Sequence, residues 1–261
     1  TRRASMFSKL LKSADLRQLS SFVSPAFFDV LPARKIWGRG RALMVSKSST
    51  AYRDAVSARA TSLEALPLAV ALPGHAPGRD TRGDDARAHA TRVVTLFFEQ
   101  LYSDTPTLLD LRAASARDRE GVLQWDPAPW VCQWSPAFLE GLRGLYQGFY
   151  APDEALLAHS LRALRIEIAE DLFRKHFGTQ PEAQRFVMKD FVDTFHQVFL
   201  RCRDRARELH EDFLPLGVYL ATLYDHLDGL PVEVDVPACF AHARGRQGAA
   251  RKAGALEARH G

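Results

Sequence analysis

The sequence predicts a mainly α-helical protein: a bundle of about four C-terminal helices, a less regular basic N-terminal region and at most one short edge strand. Two observations support this fold class. Apolar residues recur at intervals of three and four through most of residues 136–229, which is the period of an amphipathic helix. The alternating valines of PVEVDVP, residues 231–237, lie between prolines, and proline confines a strand to the edge of a sheet.

Proline and glycine divide the C-terminal half into segments of helical length. The four predicted helices cover residues 136–150, 152–177, 179–213 and 216–229. Ser135 is a typical N-cap before Pro136, and Gly178 and Gly229 are typical of the position just beyond a helix C-terminus. Pro215 interrupts the pattern between the third and fourth helices, because proline cannot donate a backbone hydrogen bond.

The N-terminal half has weaker signals. Residues 41–66 and 84–103 both have apolar residues at helical spacing, and the second segment has the broader apolar face. Residues 67–85 contain three prolines and three glycines, which predicts a loop. A loop of this length inside a domain is often functional or mobile.

Charge divides the chain into three regions. Residues 1–60 hold twelve Lys or Arg against three acids, residues 61–243 are acidic, and residues 244–261 hold five Lys or Arg against one acid. We therefore predict a basic N-terminal region (1–60), a helical domain (61–243) and a disordered basic tail (244–261).

Composition also limits the class of protein. The longest apolar runs are too short to span a bilayer, and the three cysteines form no C-x-x-C pair, so we expect a soluble, intracellular, cytoplasmic protein. The Arg- and Ser-rich residues 2–25 leave organelle targeting as an alternative. No glycine-rich nucleotide-binding loop is present, and no set of metal ligands or cofactor can be assigned.

The stretch DTFHQVFLRCRDRARELHEDF, residues 193–213, contains two histidines among many charged residues. On a helical wheel His196 and His210 lie beside the apolar stripe, whereas Asp193 points away from it. A solvated helix boundary is the first interpretation. A metal site and a ligand pocket rimmed by His196, Arg203 and His210 are the alternatives.

Two further residues are candidates for acid–base chemistry. Glu170 falls on the apolar face of its predicted helix, where burial raises the pKa of a carboxyl group, although an arginine neighbour would neutralise it. His226 lies between Asp225 and Asp228 near a helix C-terminus, where a histidine also interacts with the helix dipole. Glu170, His196, His210 and His226 are thus the candidate catalytic residues.

Three of the four tryptophans, Trp125, Trp130 and Trp134, lie in the proline-rich segment WDPAPWVCQWSP. They form a candidate stacking platform for a planar ligand. The alternative is a rigid apolar loop packed across the helical body, because three tryptophans are costly to leave in water.

The segment ARKIWGRGR, residues 33–41, places Lys35, Arg39 and Arg41 around an aromatic residue, which is a pattern that binds polyanions. No nucleic-acid-binding motif accompanies it. This basic end could instead dock on the acidic body of the same chain.

Two functional hypotheses follow. The first is a binding or scaffold protein that engages an acidic protein partner or a polyanion, nucleic acid included, through the basic N-terminal region. The alternative is a helical metal- or cofactor-dependent enzyme with an acid/His pocket between the C-terminal helices. The sequence determines neither a substrate, nor a partner, nor an oligomeric state.

Overall fold

Helices supply most of the structure, but they do not form a four-helix bundle. The computed structural model describes residues 26–31, 33–64, 70–75, 85–177 and 183–245. Within these ranges nine helices have assigned bounds, and the strands form three small sheets of two or three strands. The mainly α-helical prediction is confirmed. The prediction of about four bundled helices with at most one edge strand is wrong.

The helices are α1 (Phe27–Val30), α2 (Ala33–Leu43), α3 (Thr50–Glu64), α4 (Ala86–Tyr102), α5 (Pro136–Tyr150), α6 (Glu154–Ala163), α7 (Glu170–Phe177), α8 (Met188–Asp204) and α9 (Phe213–Asp228). A 3-10 turn at Glu167–Ala169 leads into α7, and residues 236–245 are also helical. The strands are β1 (Val70–Ala71), β2 (Thr107–Leu108), β3 (Ala116–Arg119), β4 (Val122–Trp125), β5 (Val131–Cys132), β6 (Ala183–Gln184) and β7 (Val234–Asp235).

The β3–β4 hairpin is the main element that the sequence prediction missed. Its loop is only Glu120 and Gly121, both with positive φ, as a two-residue type I′ turn requires. β1 pairs with β4 in parallel, β2 pairs with β5, and β6 pairs with β7, each in an antiparallel manner. The strands are two to four residues long, so their alternation is too brief to stand out from helical spacing.

The first and fourth predicted C-terminal helices are confirmed. α5 begins at Pro136 and ends at Tyr150, and α9 ends one residue before Gly229. α9 begins earlier than expected, because Pro215 is in its first turn, where the missing N–H has no intrahelical partner. The strand predicted in PVEVDVP is β7, paired with β6.

The second and third predicted helices are both interrupted. After α6, Arg165 adopts a positive φ, and the N–H of Ile166 reaches back to the carbonyl of Leu161. After α8, Ala206 also adopts a positive φ, and the N–H of Arg207 donates to the carbonyl of Cys202. These are Schellman terminations, normally signalled by glycine. Neither site contains glycine, so no residue type marked these helix ends in advance.

Replacing Ala206 with glycine is expected to stabilise the protein by roughly 1 kcal/mol, because glycine adopts the left-handed conformation without the Cβ clash that alanine suffers. Urea unfolding of A206G measures the change. Ala58→Gly in the middle of α3 is the matched control, and it should destabilise by about 1 kcal/mol. Equal losses in both variants would contradict this account of the α8 terminus.

An extended segment, residues 107–112, lies in the protein core against α4 and α9, and every residue in it is buried. Buried backbone groups need hydrogen-bond partners, and here the chain around β5 and several side chains supply them. Gln100 of α4 bonds both the N–H and the carbonyl of Leu108, at 2.9 and 3.1 Å. Thr222 of α9 donates to the carbonyl of Leu109.

The rest of this segment is held in the same way. The Trp125 indole of β4 donates to the carbonyl of Asp110 at 2.7 Å. The Asp110 carboxylate in turn accepts from Arg112, Ser115 and the backbone N–H of Ala128. The segment is thereby bound to α4, α9 and the β3–β4 hairpin at once.

Replacing Thr222 with valine is expected to destabilise the protein by about 1–3 kcal/mol, since the Leu109 carbonyl would lose its buried donor. The same change at Thr91 is the control, because that hydroxyl makes only an exposed bond to a carbonyl of its own helix. T91V should alter stability by no more than about 0.5 kcal/mol. Unfolding free energies from urea titrations decide between the two outcomes.

Some sequence predictions fall beyond the described residues. The targeting hypothesis concerns residues 2–25, and most of the predicted loop at 67–85 lies at 67–69 and 76–84, all outside the described ranges. Of the predicted tail, only residues 244 and 245 are described, and both are helical. No helix in the described ranges is both long and apolar enough to cross a bilayer.

Candidate functional site

Of the four predicted catalytic residues, Glu170 begins α7, and its carboxylate is 41% exposed. It accepts two hydrogen bonds from Arg174, at 2.8 and 2.9 Å. Arg174 also forms an ion pair with Glu154 of α6. An arginine therefore neutralises this carboxylate, as the alternative interpretation of Glu170 proposed.

The two histidines of the 193–213 stretch do not meet each other. His196 is partly buried on α8, whereas His210 lies in the connection that follows this helix. The His210 ring stacks on Phe138, and its Nδ1 accepts the backbone N–H of Asp212. α8 ends at Asp204, between the two histidines, so they do not lie on one helix as the wheel assumed.

The three tryptophans lie in the core. Trp125, Trp130 and Trp134 are at most 6% exposed. The Trp134 indole donates to Thr107, and the guanidinium of Arg112 lies over the Trp130 ring at 4.6 Å. These contacts match the alternative of an apolar segment packed across the body.

The basic residues of α2 face two environments. The Arg39 guanidinium bonds the carbonyl of Gln133 at 2.7 Å and forms an ion pair with the buried carboxylate of Asp212. Lys35 lies 3.6 Å from Glu208 in an exposed pair, and Arg41 is exposed. Arg39 thus docks α2 onto the body of the same chain.

His226, the fourth predicted residue, lies at the base of an open cleft of about 420 Å³. The cleft is bounded by the first turn of α4, by β3 and by the end of α9. Its walls combine charged, polar and apolar side chains: Asp85, Ala86, His89, Ala113, Ala116, Arg117, Asp118, His226 and Leu230.

Two histidines meet at the base of this cleft. Nε2 of His89 lies 2.7 Å from Nε2 of His226, which is hydrogen-bond distance. His89 is on the first turn of α4 and is 13% exposed, whereas His226 in the last turn of α9 is only 4% exposed. One ring therefore faces the cleft, and the other faces the core.

The position of the protons follows from the partners. Nδ1 of His226 lies 2.5 Å from the carbonyl oxygen of Leu111, which only accepts, so this nitrogen carries a proton. Burial lowers the pKa of His226 from 6.5 to about 4; the Leu111 bond opposes this shift, and the charge of His89 adds to it. His226 is therefore neutral at pH 7, and its Nε2 is an acceptor.

Because His226 Nε2 accepts, His89 Nε2 must donate. The other nitrogen of His89, Nδ1, lies 3.3 Å from a carboxylate oxygen of Asp118, which also accepts. Both nitrogens of His89 thus face acceptors, so each is placed to donate a hydrogen bond, Nε2 to His226 and Nδ1 to Asp118.

Asp118 is fixed from two other directions. Its Oδ2 accepts from Arg92, which is on α4 one turn after His89 and is fully buried. Its Oδ1 accepts the N–H of Gly121 in the turn of the β3–β4 hairpin. The order of contacts is Arg92, Asp118, His89, His226 and the Leu111 carbonyl.

This arrangement does not have the geometry of a metal centre. Two imidazole nitrogens on one tetrahedral zinc ion lie about 3.3 Å apart, farther than the Nε2 atoms of His89 and His226. In the described part of the chain, no group of three or more His, Cys, Asp or Glu side chains is arranged to hold a metal ion.

Sequence reasoning found His226 but missed His89, Arg92 and Asp118. His89 and Arg92 have the i, i+3 spacing of one helix face, and that signal was available in the predicted helix 84–103. Asp118 belongs to the β3–β4 hairpin, which was not predicted from the sequence. Comparison with models of known protein families, with curated proteins and with solved structures finds no match to this chain.

The His226 environment predicts acid sensitivity. Between pH 6.5 and about 4 the unfolded chain binds a proton at His226 that the folded protein excludes, so the stability present above pH 6.5 is lost as pH falls. Between pH 7 and pH 5 this loss amounts to about 2 kcal/mol. Urea unfolding at both pH values should show this loss of unfolding free energy in the wild type, and H226Q should not show it.

The control for this measurement is His159→Gln, because His159 is exposed on α6. H159Q should keep the pH dependence of the wild type. If H226Q and the wild type lose the same free energy between pH 7 and pH 5, His226 is not held neutral by its surroundings.

Proposed function

We propose that this chain is an enzyme that carries out acid–base chemistry on a small molecule bound in the cleft. The observation that supports the proposal is the 2.7 Å contact between the Nε2 atoms of His89 and His226, which hold one proton between them. One imidazole offers a proton, its neighbour offers a lone pair, and both line the same cleft.

His226 acts as the general base. Its Nδ1–H is held by the Leu111 carbonyl, which leaves the Nε2 lone pair directed at His89, the ring that borders the cleft. His89 acts as the general acid, and Asp118 stabilises its charge. Arg92 is a positioning residue, because it contacts Asp118 and not the two imidazole nitrogens that exchange a proton.

Ester hydrolysis illustrates how the protons balance. Once His89 has turned from His226 towards the ester, His226 Nε2 removes a proton from water, the water oxygen bonds to the acyl carbon, and the ester C–O bond breaks. His89 Nε2–H gives its proton to the departing oxygen, so the products are an acid and an alcohol. The extra proton on His226 then returns to His89 across the Nε2 contact, which restores the starting state.

Hydrolysis of ethyl acetate, followed as acid release in a pH-stat, tests the proposal without knowledge of the natural substrate, because the ethoxide leaves only when it is protonated and so needs the general acid as well as the general base. H226Q and H89Q should each lower the second-order rate constant by about 100-fold relative to the wild type. H159Q should retain the wild-type rate, since the same substitution is made there on an exposed surface.

Circular dichroism and urea unfolding establish that each variant is folded at the assay temperature. H89Q is the decisive variant if H226Q fails to fold, because His89 is at the cleft and does not bond the buried segment. Rate constants of folded H89Q equal to those of H159Q would refute the proposed acid–base role.

The hypothesis of binding through the basic N-terminal region stays a prediction. Within the described residues, Arg39 is engaged by Asp212, so Lys35 and Arg41 are the members of the predicted anion-binding set with the more exposed side chains. The cleft has the more specific geometry, so acid–base chemistry in the cleft is the function that we propose.

A further inference from the structure

We infer that the cleft takes a ligand through a neutral group that both donates and accepts a hydrogen bond, either an amide or an alcohol hydroxyl. This inference rests on the proposed function, because it assigns the chemistry of the group that inserts between His89 and His226. It follows from the hydrogen-bonding character of the two Nε2 atoms, which are already paired with each other.

A ligand that enters must replace the contact between the two rings. His89 Nε2–H then needs an acceptor, and His226 Nε2 needs a donor, because the proton on the other side of each ring is held by Asp118 and by Leu111. An amide supplies a carbonyl oxygen and an N–H side by side. A hydroxyl supplies both from a single oxygen.

The exchange conserves hydrogen bonds for these two groups. One N–H···N bond between the rings is lost and two bonds to the ligand are made, so no buried polar group remains without a partner. His89 is the ring that moves to admit the ligand, since it is 13% exposed at the cleft while His226 is tied to the core.

Charged groups fit less well. A carboxylate accepts from His89 but places negative charge against the lone pair of His226, and His226 is kept neutral by its buried position. An ammonium or amidinium group donates to His226 but places positive charge against the N–H of His89. An unpaired polar contact in a buried site is costly, so both ions are discriminated against.

The remaining walls agree with a ligand of low net charge. The exposed charged side chains of the cleft lining are Asp85 and Arg117, of opposite sign. Deeper in, Asp118 is matched by Arg92 and His89. Between these groups the wall is apolar, formed by alanines and Leu230. No single sign of charge dominates the site.

Three nearly isosteric probes test this inference: acetamide, acetate and acetamidinium, which differ mainly in charge and in hydrogen-bonding character. Each is titrated into protein carrying ¹⁵N-labelled histidine, and the ring nitrogen signals are followed by long-range ¹H–¹⁵N spectra. H89Q and H226Q assign the two signals. The signal of exposed His159 is the internal control for nonspecific effects.

Acetamide should shift the signals of both His89 and His226 in a saturable manner, with an affinity at least tenfold higher than that of either ion. Propan-2-ol distinguishes the two sources: shifts with both neutral probes indicate a general donor–acceptor site, and shifts with acetamide alone indicate an amide site. Shifts with propan-2-ol alone indicate a hydroxyl site.

Two results would overturn the inference. One is binding of acetate or acetamidinium as tightly as the neutral probes, and the other is no saturable shift with either neutral probe. Histidine-dependent ester hydrolysis together with either result would leave the acid–base function standing and reject only the ligand class. Loss of both would reject the site.

Discussion

The structure depends on satisfying the backbone of one buried extended segment, residues 107–112. An extended chain in the core exposes N–H and carbonyl groups that no helix of its own can pair. Beyond its pairing with β5, the partners are side chains from three separate elements: Gln100 on α4, Thr222 on α9 and Trp125 on β4. These bonds hold α4, α9 and the hairpin against the segment.

The candidate site is a consequence of this constraint. His226 is the member of α9 that pairs the Leu111 carbonyl, and that bond determines which nitrogen of its ring carries the proton. Burial beside the segment lowers its pKa and keeps the ring neutral. His89 and Arg92 then reach the same place from α4, and the hairpin contributes Asp118. Structural support and acid–base chemistry thus use the same hydrogen bond.

Several features of this protein were determined by the sequence alone. The helical period of the apolar residues determined a mainly α-helical chain, and Pro136 and Gly229 marked the ends of α5 and α9, because proline and glycine are local signals of helix ends. Terminations at Arg165 and Ala206 escaped prediction, since the residues that adopt the left-handed conformation there are not glycines. The short strands escaped it because two to four residues carry too little alternation.

The candidate site shows the same division between what the sequence and the tertiary structure determine. A titratable residue near the end of α9 was visible in the sequence as His226, but its chemistry was not, because its pKa depends on burial and on the Leu111 carbonyl 115 positions away in the chain. His226 and His89 are 137 positions apart, and Asp118 is 29 positions from His89. Helical period orders residues along one helix only. Contacts between elements were decided by the tertiary structure, because the buried segment 107–112 needs hydrogen-bond partners from α4, α9 and β4 together.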